Sequence, residues 1–328
     1  MNNPLNIRQI IWSEFRSYEQ AFADALQTDN QLLAQVLDYV HAKRGKQLRP
    51  ILVLLSAALC RGITDKTIQT AVALELMHTA SLIHDDVVDD TPIRRGSNAV
   101  HTQWTNKVAI LVGDYMLTRV MQILTDLRNT TILNIVSQMG ASLTSGELLQ
   151  LHSGQSMWIS EKQYNQIIQQ KTACLFAACS EAGGASTGAT SRQMTALKHF
   201  GLHLGMCFQL KDDVLDYSDL EDIGKPTMND LRDGKATLPL LISLHRATKE
   251  EAAQVREMAE ALAAQSPHID VFETEQDIKA FVLRYDGIRY AYQQMEYHRK
   301  KAIAALNIFP DNKYKESPLY GTYVNIAC

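Results

Sequence analysis

Two aspartate clusters with the same spacing define the chemistry that this sequence can perform. The chain reads DDVVD from residue 85 and DDVLD from residue 212, so the pattern DDVxD, with an apolar residue at x, recurs 127 positions later. On a helix, residues four apart share a face, so the first and last aspartates of each cluster form a pair of carboxylates. The aspartates concerned are Asp85, Asp86 and Asp89, with Asp90 beside them, and then Asp212, Asp213 and Asp216.

Both clusters end an apolar helical stretch, where negative charge is unfavourable, because a helix C-terminus favours Lys or Arg. A like-charge pair costs only ~0.2–0.5 kcal/mol when solvated, but repulsion reaches ~4 kcal/mol at ~4 Å where the effective dielectric constant is ~20. One acidic helix end is most often a solvated surface, whereas two matched copies favour a functional site. Enclosed carboxylates need cations, and Mg²⁺ prefers oxygen ligands that leave room for water and phosphate.

Basic side chains flank the first cluster in positions suited to phosphate. Arg94 and Arg95 follow it, and KRGKQLRP, residues 43–50, precedes it as a compact cationic loop. Arginine grips phosphate bidentately, while lysine supplies a mobile point charge. Any one of these cations could form a surface ion pair, but together they predict a site for a multiply charged phosphate anion.

Apolar periodicity and capping signals place the helices that position these residues. Thr64 opens a long helix that ends at Thr91-Pro92, since a residue before proline disfavours helix. Ser160 and Gln163 predict a capping box for a helix that runs to Gly183-Gly184.

Residues 183–191 are predicted to be a loop, and residues 195–217 and about 271–306 further helices. Gln209 and the aspartates of the second cluster fall on one face of the helix 195–217. Asp114 is expected to be an N-cap.

Composition narrows the class of protein. Proline is scarce at 8 residues and apolar residues make up 46%, which favours long helices. A net charge of −4 predicts no nucleic-acid partner. The N-terminus has no continuous apolar segment, and no run of ~18 uncharged apolar residues is evident, so we expect a cytoplasmic protein without a transmembrane segment.

Six ordered blocks carry a family resemblance. They resemble the signature blocks of trans-isoprenyl diphosphate synthases, the polyprenyl synthetase family, and they cover most of the chain. The blocks are GKQLRP (45–50), LMHTASLIHDDVVDDTPIRRG (76–96), LVGDYML (111–117), QKTACLF (170–176), GMCFQLKDDVLDY (205–217) and GKPTMNDLRDGKATLP (224–239).

The resemblance implies an all-α fold, a single polyprenyl synthetase domain over residues 1–328 that forms a large helical bundle of the isoprenoid synthase type around a deep central cavity. It also implies a homodimer and three Mg²⁺ ions that bridge an allylic diphosphate. The implied reaction ionises this diphosphate, after which isopentenyl diphosphate attacks the carbocation and a proton leaves to the departing diphosphate.

The resemblance assigns residues by role. The magnesium ligands would be Asp85, Asp89, Asp212 and Asp216, and Asp86, Asp213 and Lys171 would join them in catalysis. The contacts to the allylic diphosphate would be Arg94, Lys171, Thr172, Gln209, Lys225 and Lys235. Isopentenyl diphosphate would meet Lys46, Arg49, His78 and Arg95. Many members cover that last site with an arginine-bearing tail, which the ending SPLYGTYVNIAC does not supply.

The resemblance also predicts product length. Bulky residues four, five, eight or eleven positions before the first aspartate would form the floor of a product tunnel, and here these are Ser81, Ala80, Met77 and Leu74. Ala80 lies only ~8 Å along the helix from Asp85. Ser81 and Ala80 are too small to stop the growing chain at a short length, whereas the flexible side chain of Met77 could either move aside for the chain or partly block it.

We therefore expect a long all-trans polyprenyl diphosphate of about C30–C45, octaprenyl as the best single choice, built from farnesyl diphosphate for a quinone side chain. Met121 or Leu124 could instead set a deeper floor.

Three alternatives stay open. A farnesyl or geranylgeranyl diphosphate synthase would share every motif and differ in product length. A class I terpene cyclase would replace the second cluster by an Asn/Ser/Glu metal motif, and a non-catalytic partner subunit would lack one acidic cluster or the basic contacts. The intact second cluster and the complete basic set argue against these last two.

Overall fold

The computed structural model describes residues 5–153, 157–217 and 227–315 of the 328-residue chain. These residues are mainly helical. The helices of the first half are α1 (Leu5–Ile10), α2 (Trp12–Ala25), α3 (Gln31–Ala42), α4 (Leu48–Cys60), α5 (Asp65–Val88), α6 (Val100–Gln103), α7 (Asn106–Asp126) and α8 (Thr130–Ser153). Those of the second half are α9 (Glu161–Ile168), α10 (Cys174–Ser186), α11 (Ser191–Leu215), α12 (Asn229–Arg232), α13 (Leu238–Arg246), α14 (Lys249–Ala263), α15 (Val271–Arg284) and α16 (Gly287–Ala305).

The described residues fall into two compact units. Unit 1 contains the residues up to Gly140, Leu175–Gly201 and the residues from Ala305, and unit 2 contains Ala141–Cys174 and Leu202–Ala304. The single domain over 1–328 and its deep central cavity stay predictions.

Helix α5 is the central element of unit 1. Its segment 71–76 is apolar at every position except Glu75 and is buried throughout, so the helix is enclosed on all sides by its neighbours α2, α4 and α7. A capping box on Thr64 opens the helix, which ends at Val88 ahead of Thr91-Pro92, as the sequence predicted. The acidic end of α5 therefore emerges from a rigid core.

Helix α7 packs closely on α5. A Cβ added to Gly113 would lie 2.2 Å from the Nε2 of His84, so glycine permits the approach. The helix is capped by Thr105, which places Asp114 in its interior, and the predicted N-cap at Asp114 is wrong because the helix begins eight residues earlier. Among the described helices, only α7 is long and apolar enough to cross a membrane by length and composition, a test that core helices also pass.

A two-stranded hairpin interrupts the helices after the first cluster. Strand β1 (Ile93–Arg94) pairs antiparallel with β2 (Ser97–Asn98), and both turn residues have positive φ, 52° at Arg95 and 72° at Gly96. Two positive φ values are typical of a type I′ turn, which favours glycine at the second position. The sequence analysis did not foresee this hairpin, which fixes the backbone of the two predicted phosphate ligands.

The helix that begins after Ser160 continues further than predicted. The capping box of Ser160 with Gln163 is confirmed. The prediction of a stop at Gly183-Gly184 is wrong, because α10 continues to Ser186 and the loop is limited to residues 187–190. Gly183 instead allows close packing, since an added Cβ would lie 2.4 Å from the carbonyl oxygen of Val53.

The last predicted helix is two helices. The run expected over about 271–306 is broken at Tyr285 and Asp286, where Asp286 has a φ of 55°. The break brings Gly287 against α13 in unit 2, where an added Cβ would meet the carbonyl oxygen of Pro239 at 2.1 Å. Backbone contact with α13, which has no local sequence signal, explains the break.

Candidate active site

The first aspartate cluster, residues 85–89, sits at the C-terminal end of α5 in unit 1. Asp85 is half-buried and Asp89 exposed, and the N–H of Asp89 donates to the carbonyl oxygen of Asp85 at 2.8 Å. Asp90 follows with a φ of 49° and an exposed side chain. Asp85 and Asp89 thus share one turn at the edge of the core, as the sequence predicted.

Asp86 has a different environment from its neighbours. It is buried, and the Nε of Arg94 in the hairpin donates to its Oδ1 in a short ion pair. Burial raises the pKa of the Asp86 carboxyl, which Arg94 opposes. Asp86 is therefore placed to orient Arg94, while Asp85 and Asp89 keep the more accessible oxygens.

The four predicted contacts to isopentenyl diphosphate all belong to unit 1. Lys46 is exposed, Arg49 lies in the first turn of α4, and the guanidinium of Arg95 rests against Gly45 and donates to the carbonyl oxygen of Lys43 at 3.0 Å. His78 is buried, and burial together with Arg49 and Arg95 holds its pKa well below the usual range. At neutral pH His78 is uncharged and offers a hydrogen bond to an anion.

The predicted floor residues differ in accessibility. Ala80 is fully buried, whereas Met77 and Ser81 are half-buried on the face of α5 that carries Asp85. The methyl group of Met77 lies beside Gly140 of α8, 2.7 Å from where a Cβ would be. Of the deeper candidates, Leu124 is buried, while Met121 is 67% exposed.

The second aspartate cluster, residues 212–216, lies at the end of α11 in unit 2, with Asp213 at its buried centre. Asp213 is 1% exposed and accepts hydrogen bonds from the hydroxyl of Tyr164 and, at 2.9 Å, from the Nε2 of Gln209. Gln209 in turn accepts from the hydroxyl of Thr172 at 2.8 Å. A continuous chain of hydrogen bonds therefore links Thr172, Gln209 and Asp213 to Tyr164 of α9.

Asp216 and Asp212 have distinct surroundings. The carboxylate of Asp216 accepts the backbone N–H groups of Asn229 at 3.0 Å and Asp230 at 3.2 Å, which ties the segment after the second cluster to α11. Each oxygen of Asp216 retains a lone pair for a further ligand. Asp212 is exposed, and its backbone oxygen accepts from the N–H of Asp216.

Lys171 lies in a π-helical turn, Gln169–Ala173, between α9 and α10. Such turns occur frequently at functional sites because they shift side chains out of helical register. The Nζ of Lys171 donates to Glu147 of α8, with nitrogen–oxygen distances of 2.7 and 3.0 Å. Glu147, which the sequence analysis left without a role, therefore orients a predicted diphosphate ligand.

These side chains of unit 2 line a common cavity of about 190 Å³. The cavity combines three segments that are far apart in sequence, so only the fold brings them together. Its predicted ligands are Lys171, Thr172, Gln209, Asp213 and Lys235, joined by Tyr164 and Asp230. Lys225 and the C-terminal tail lie outside the described residues.

The acids of this cavity repel each other strongly. Burial, followed by the charge of Asp230, raises the pKa of Asp213 to about 7, and burial with the charge of Asp216 raises that of Asp230 to about 6. Lys235 opposes the shift at Asp230. Cations that enter this cavity would stabilise both carboxylates.

The donor set suits Mg²⁺. Within the described ranges, no three His, Cys, Asp or Glu side chains converge on a metal by themselves. Mg²⁺ usually binds one or two carboxylates together with water and substrate phosphates, so each cluster fits as a partial coordination shell. The ligands would be Asp85 and Asp89 for the first cluster and Asp212 and Asp216 for the second.

Four residues near these sites were absent from the predicted set. They are Glu75, Glu147, Tyr164 and Asp230. Tyr164 precedes Lys171 by seven residues, the same two-turn spacing that relates His78 to Asp85, so a face-based search of α9 could have found it. Asp230 lies in α12, a helix of four residues that is too short to give a periodic signal.

A helical architecture, two acidic helix ends and a cavity that combines lysines with carboxylates are typical of helical enzymes that act on prenyl diphosphates. The polyprenyl synthetase family model matches residues 30–273. Octaprenyl diphosphate synthase of Escherichia coli (strain K12) is 33% identical over 312 residues, 95% of this chain and 94% of that protein. The chain belongs to the polyprenyl synthetase family.

Solved structures agree with this assignment. A polyprenyl synthase from Caulobacter crescentus CB15, complexed with calcium and isoprenyl diphosphate, has a TM-score of 0.89 at 32% identity and covers 99% of this chain and 97% of its own. A geranylgeranyl pyrophosphate synthase from Bacteroides thetaiotaomicron has a TM-score of 0.82 at 35% identity over 98% and 97% of the two chains. The family resemblance, the all-α isoprenoid synthase fold and the trans-prenyltransferase activity are confirmed.

Proposed function

We propose that this enzyme elongates an allylic diphosphate, farnesyl diphosphate, with successive isopentenyl diphosphates to a long all-trans polyprenyl diphosphate. The observation that carries the proposal is the cavity of unit 2, in which Lys171, Thr172, Gln209 and Lys235 surround acids that need cations. Such a mixture of cations and paired carboxylates suits a diphosphate bound with divalent metal.

Each site residue then has a task. Lys171, held by Glu147, and Lys235 bind the oxygens of the allylic diphosphate, while Gln209 and Thr172 fix its orientation. Arg49 and Arg95 bind isopentenyl diphosphate, to which neutral His78 donates a hydrogen bond. Asp85, Asp89, Asp212 and Asp216 would hold three Mg²⁺ ions, which would supply positive charge to the leaving diphosphate.

The chemistry requires little else from the protein. The allylic carbon–oxygen bond breaks with its electron pair on the diphosphate, and the double bond of isopentenyl diphosphate attacks the cation. The new carbon–carbon bond leaves a second cation, which loses a proton to the departing diphosphate. Lysine and arginine stabilise the leaving group, and the apolar walls exclude the water that would capture the cations.

We propose a product of about C30–C45, octaprenyl diphosphate first, because the floor positions four and five residues before Asp85, Ser81 and Ala80, carry small side chains only ~6–8 Å from it along α5. The named products of relatives do not settle the length, since octaprenyl and geranylgeranyl diphosphate synthases are similarly close to this chain. The geranylgeranyl relative favours a short-chain synthase as the second candidate. A long product would supply a quinone side chain.

We also propose a homodimer and a cytoplasmic location. On helix α7, the side chains of Leu111 and Met121 are each 67% exposed to solvent, and Ile110 is also exposed. Leu133 of α8, in the same unit, is exposed as well. An apolar face of this kind on a folded protein marks an association surface, and a second copy is the expected partner. Nucleic acid is not expected, given the net charge of −4.

The test is release of pyrophosphate from farnesyl diphosphate and isopentenyl diphosphate in the presence of Mg²⁺. Release should require both substrates and should stop when EDTA removes the metal. A terpene cyclase or a diphosphatase would release pyrophosphate or phosphate without isopentenyl diphosphate. A non-catalytic partner subunit would release none under any of these conditions.

A further inference from the structure

Glu75 is a buried acid that the mechanism above does not use. It lies in the apolar centre of α5 and is 5% exposed. Its Oε2 has no hydrogen-bond partner among the described residues. Burial of an uncompensated carboxylate is costly, so the surroundings must offset it.

The offset comes from arginines across a small cavity in unit 1. The cavity has a volume of about 60 Å³ and is lined by Glu75 together with Arg44, Arg94 and Arg95. A water molecule needs ~10–15 Å³ of such space, so the cavity has room for waters that bridge carboxylate and guanidinium groups. Two arginines near Glu75 also have an enclosed nitrogen without a hydrogen-bond partner in the described part of the chain: Nη1 of Arg44, which lines the cavity, and Nε of Arg49.

Electrostatic interactions also link Glu75 to these arginines. Burial raises the pKa of Glu75, and Arg49, Arg95 and Arg44 oppose the shift, in that order. Burial lowers the pKa of both Arg49 and Arg95, and for each the largest opposing influence is Glu75. The acid and the two arginines therefore favour one another's charged forms.

Each of the two arginines has a further contact of defined geometry. Arg49 lies over the ring of Phe176, 5.4 Å from its centroid. Arg95 rests on Gly45 and donates to the carbonyl oxygen of Lys43. Neither contact sets the direction in which the remaining N–H groups point, and this direction decides whether they can meet a diphosphate together.

We infer that Glu75 is a positioning residue that holds Arg49 and Arg95 in the orientation that binds the diphosphate of isopentenyl diphosphate. The inference rests on the proposed function of this site and adds a residue to it. Glu75 acts through the arginines and touches no substrate. It keeps two adjacent guanidinium groups charged and ordered before the anion arrives, which reduces the cost of binding.

Removal of the Glu75 charge has two opposite effects on the affinity for isopentenyl diphosphate. The net change shows whether Glu75 positions the arginines or only adds negative charge to the site. If Glu75 contributed only a background negative charge, its loss would strengthen binding of an anion. If it orients the arginines, its loss weakens binding in spite of the added positive field. A purely structural role would change stability and leave the relative affinity for the two substrates unaltered.

The experiment is steady-state kinetics of Glu75→Gln, which keeps the shape and removes the charge. We expect the KM for isopentenyl diphosphate to rise by about tenfold or more, as for loss of a charge-assisted hydrogen-bond network, with the KM for the allylic diphosphate within about twofold of wild type. Glu181→Gln is the matched control, a glutamate in the same unit that pairs with Lys198 at 3.2 Å and should leave both KM values unchanged.

Two further variants keep the test decisive. Glu75→Asp retains the charge on a shorter side chain, so its KM for isopentenyl diphosphate should lie between those of the wild type and Glu75→Gln. This variant can be measured even if Glu75→Gln folds poorly. Combination of Glu75→Gln with Arg49→Lys should be less than additive in the KM for isopentenyl diphosphate, because both changes alter the same charge interaction between Glu75 and Arg49.

An unchanged or lower KM for isopentenyl diphosphate in Glu75→Gln overturns the inference. If Glu75→Gln does not fold, an unchanged KM in Glu75→Asp overturns it. Full additivity with Arg49→Lys also contradicts it. Absence of condensation by the wild-type enzyme would instead refute the proposed function, so the two failures are distinct.

Discussion

Individual carboxylates of the two clusters have unequal roles. Asp212 is exposed and Asp85 half-buried, whereas Asp86 and Asp213 are buried and committed to Arg94 and to Tyr164 with Gln209. Accessible oxygens suit metal ligation, and buried oxygens suit the orientation of neighbouring side chains. Substitution of the accessible pair should therefore separate catalysis from folding.

We predict that Asp212→Ala lowers turnover by about a hundredfold or more, since charge stabilisation of the leaving group is lost. Stability should change by less than about 0.5 kcal/mol, because the residue is exposed and leaves a repulsive cluster. Turnover and urea denaturation measure the two effects. Asp126→Ala, an exposed aspartate at the end of α7, is the matched control and should leave turnover intact. Retained activity in Asp212→Ala would refute the assignment.

The neighbouring arginines should differ in the substrate that they serve. Arg94→Ala should raise the KM for the allylic diphosphate and also lower the melting temperature, because buried Asp86 loses its partner. Arg95→Ala should raise the KM for isopentenyl diphosphate with a smaller effect on melting. Separate titration of each substrate checks the assignment, which equal effects on both KM values would contradict.

The aspartates were predictable from sequence because a repeated spacing is visible without a fold. Lys171 and Lys235 required the family resemblance, since an isolated lysine carries no local signal. Glu75 and Asp230 were missed for another reason: their importance arises from side chains that the fold brings to them across the chain. Sequence spacing reports contacts along one helix and is silent about contacts between helices.

Helix boundaries, too, were predicted correctly where the signal is local and missed where it depends on packing between helices. The start of α5 at Thr64 and of α9 after Ser160 were correct because capping is local. Gly183-Gly184 was misread as a stop because close helix packing and helix termination both favour glycine. The hairpin at Arg94 was missed because each of its strands has only two residues.

At the level of paired helices, α11 and α16 meet through two histidines in unit 2. The Nδ1 atoms of His203 and His298 lie 2.9 Å apart, and burial together with His203 lowers the pKa of His298 to about 4. An unfolded histidine titrates near pH ~6.5, so His298 is neutral in the folded protein at pH values where the unfolded chain is already protonated. Its contribution to stability is present above pH ~6.5 and is lost as the pH falls towards 4.

We therefore predict that His298→Gln flattens the pH dependence of stability. Between pH 7 and 5 the melting temperature of the wild type should fall by about 2–4 °C more than that of the variant. Circular dichroism melts at several pH values measure this difference. Parallel curves for the two proteins would show that the pair does not titrate as described.

Along α5, product length should respond to Ser81, because this residue is half-buried and shares a face with Met77 and Asp85. Ser81→Phe should shorten the product to about C15–C20 while the first condensation persists, since the new ring lies only ~6 Å along the helix from Asp85. Ala80→Phe is a poorer test, because Ala80 is fully buried and a ring there would overpack the core. An unchanged product length in Ser81→Phe would refute the tunnel argument.

At the scale of the whole molecule, the exposed apolar face of α7 should mediate dimerisation. Leu111→Glu places a charge on that face and should shift the protein from dimer to monomer. Sedimentation velocity measures the change. Leu283→Glu, at an exposed leucine of α15 in unit 2, is the control and should remain dimeric. A monomeric wild type, or a dimeric Leu111→Glu variant, would rule out this interface.

The central claim, that this chain elongates prenyl diphosphates to long products, is tested most directly by product sizing. Wild-type protein would be incubated with farnesyl diphosphate, radiolabelled isopentenyl diphosphate and Mg²⁺, and the dephosphorylated products would be separated by reversed-phase chromatography. Label should accumulate in all-trans alcohols of about C30–C45, because the floor positions Ala80 and Ser81, ~6–8 Å from Asp85 along α5, carry small side chains. Products that stop at C20, or cyclic hydrocarbons without incorporated label, would contradict the account.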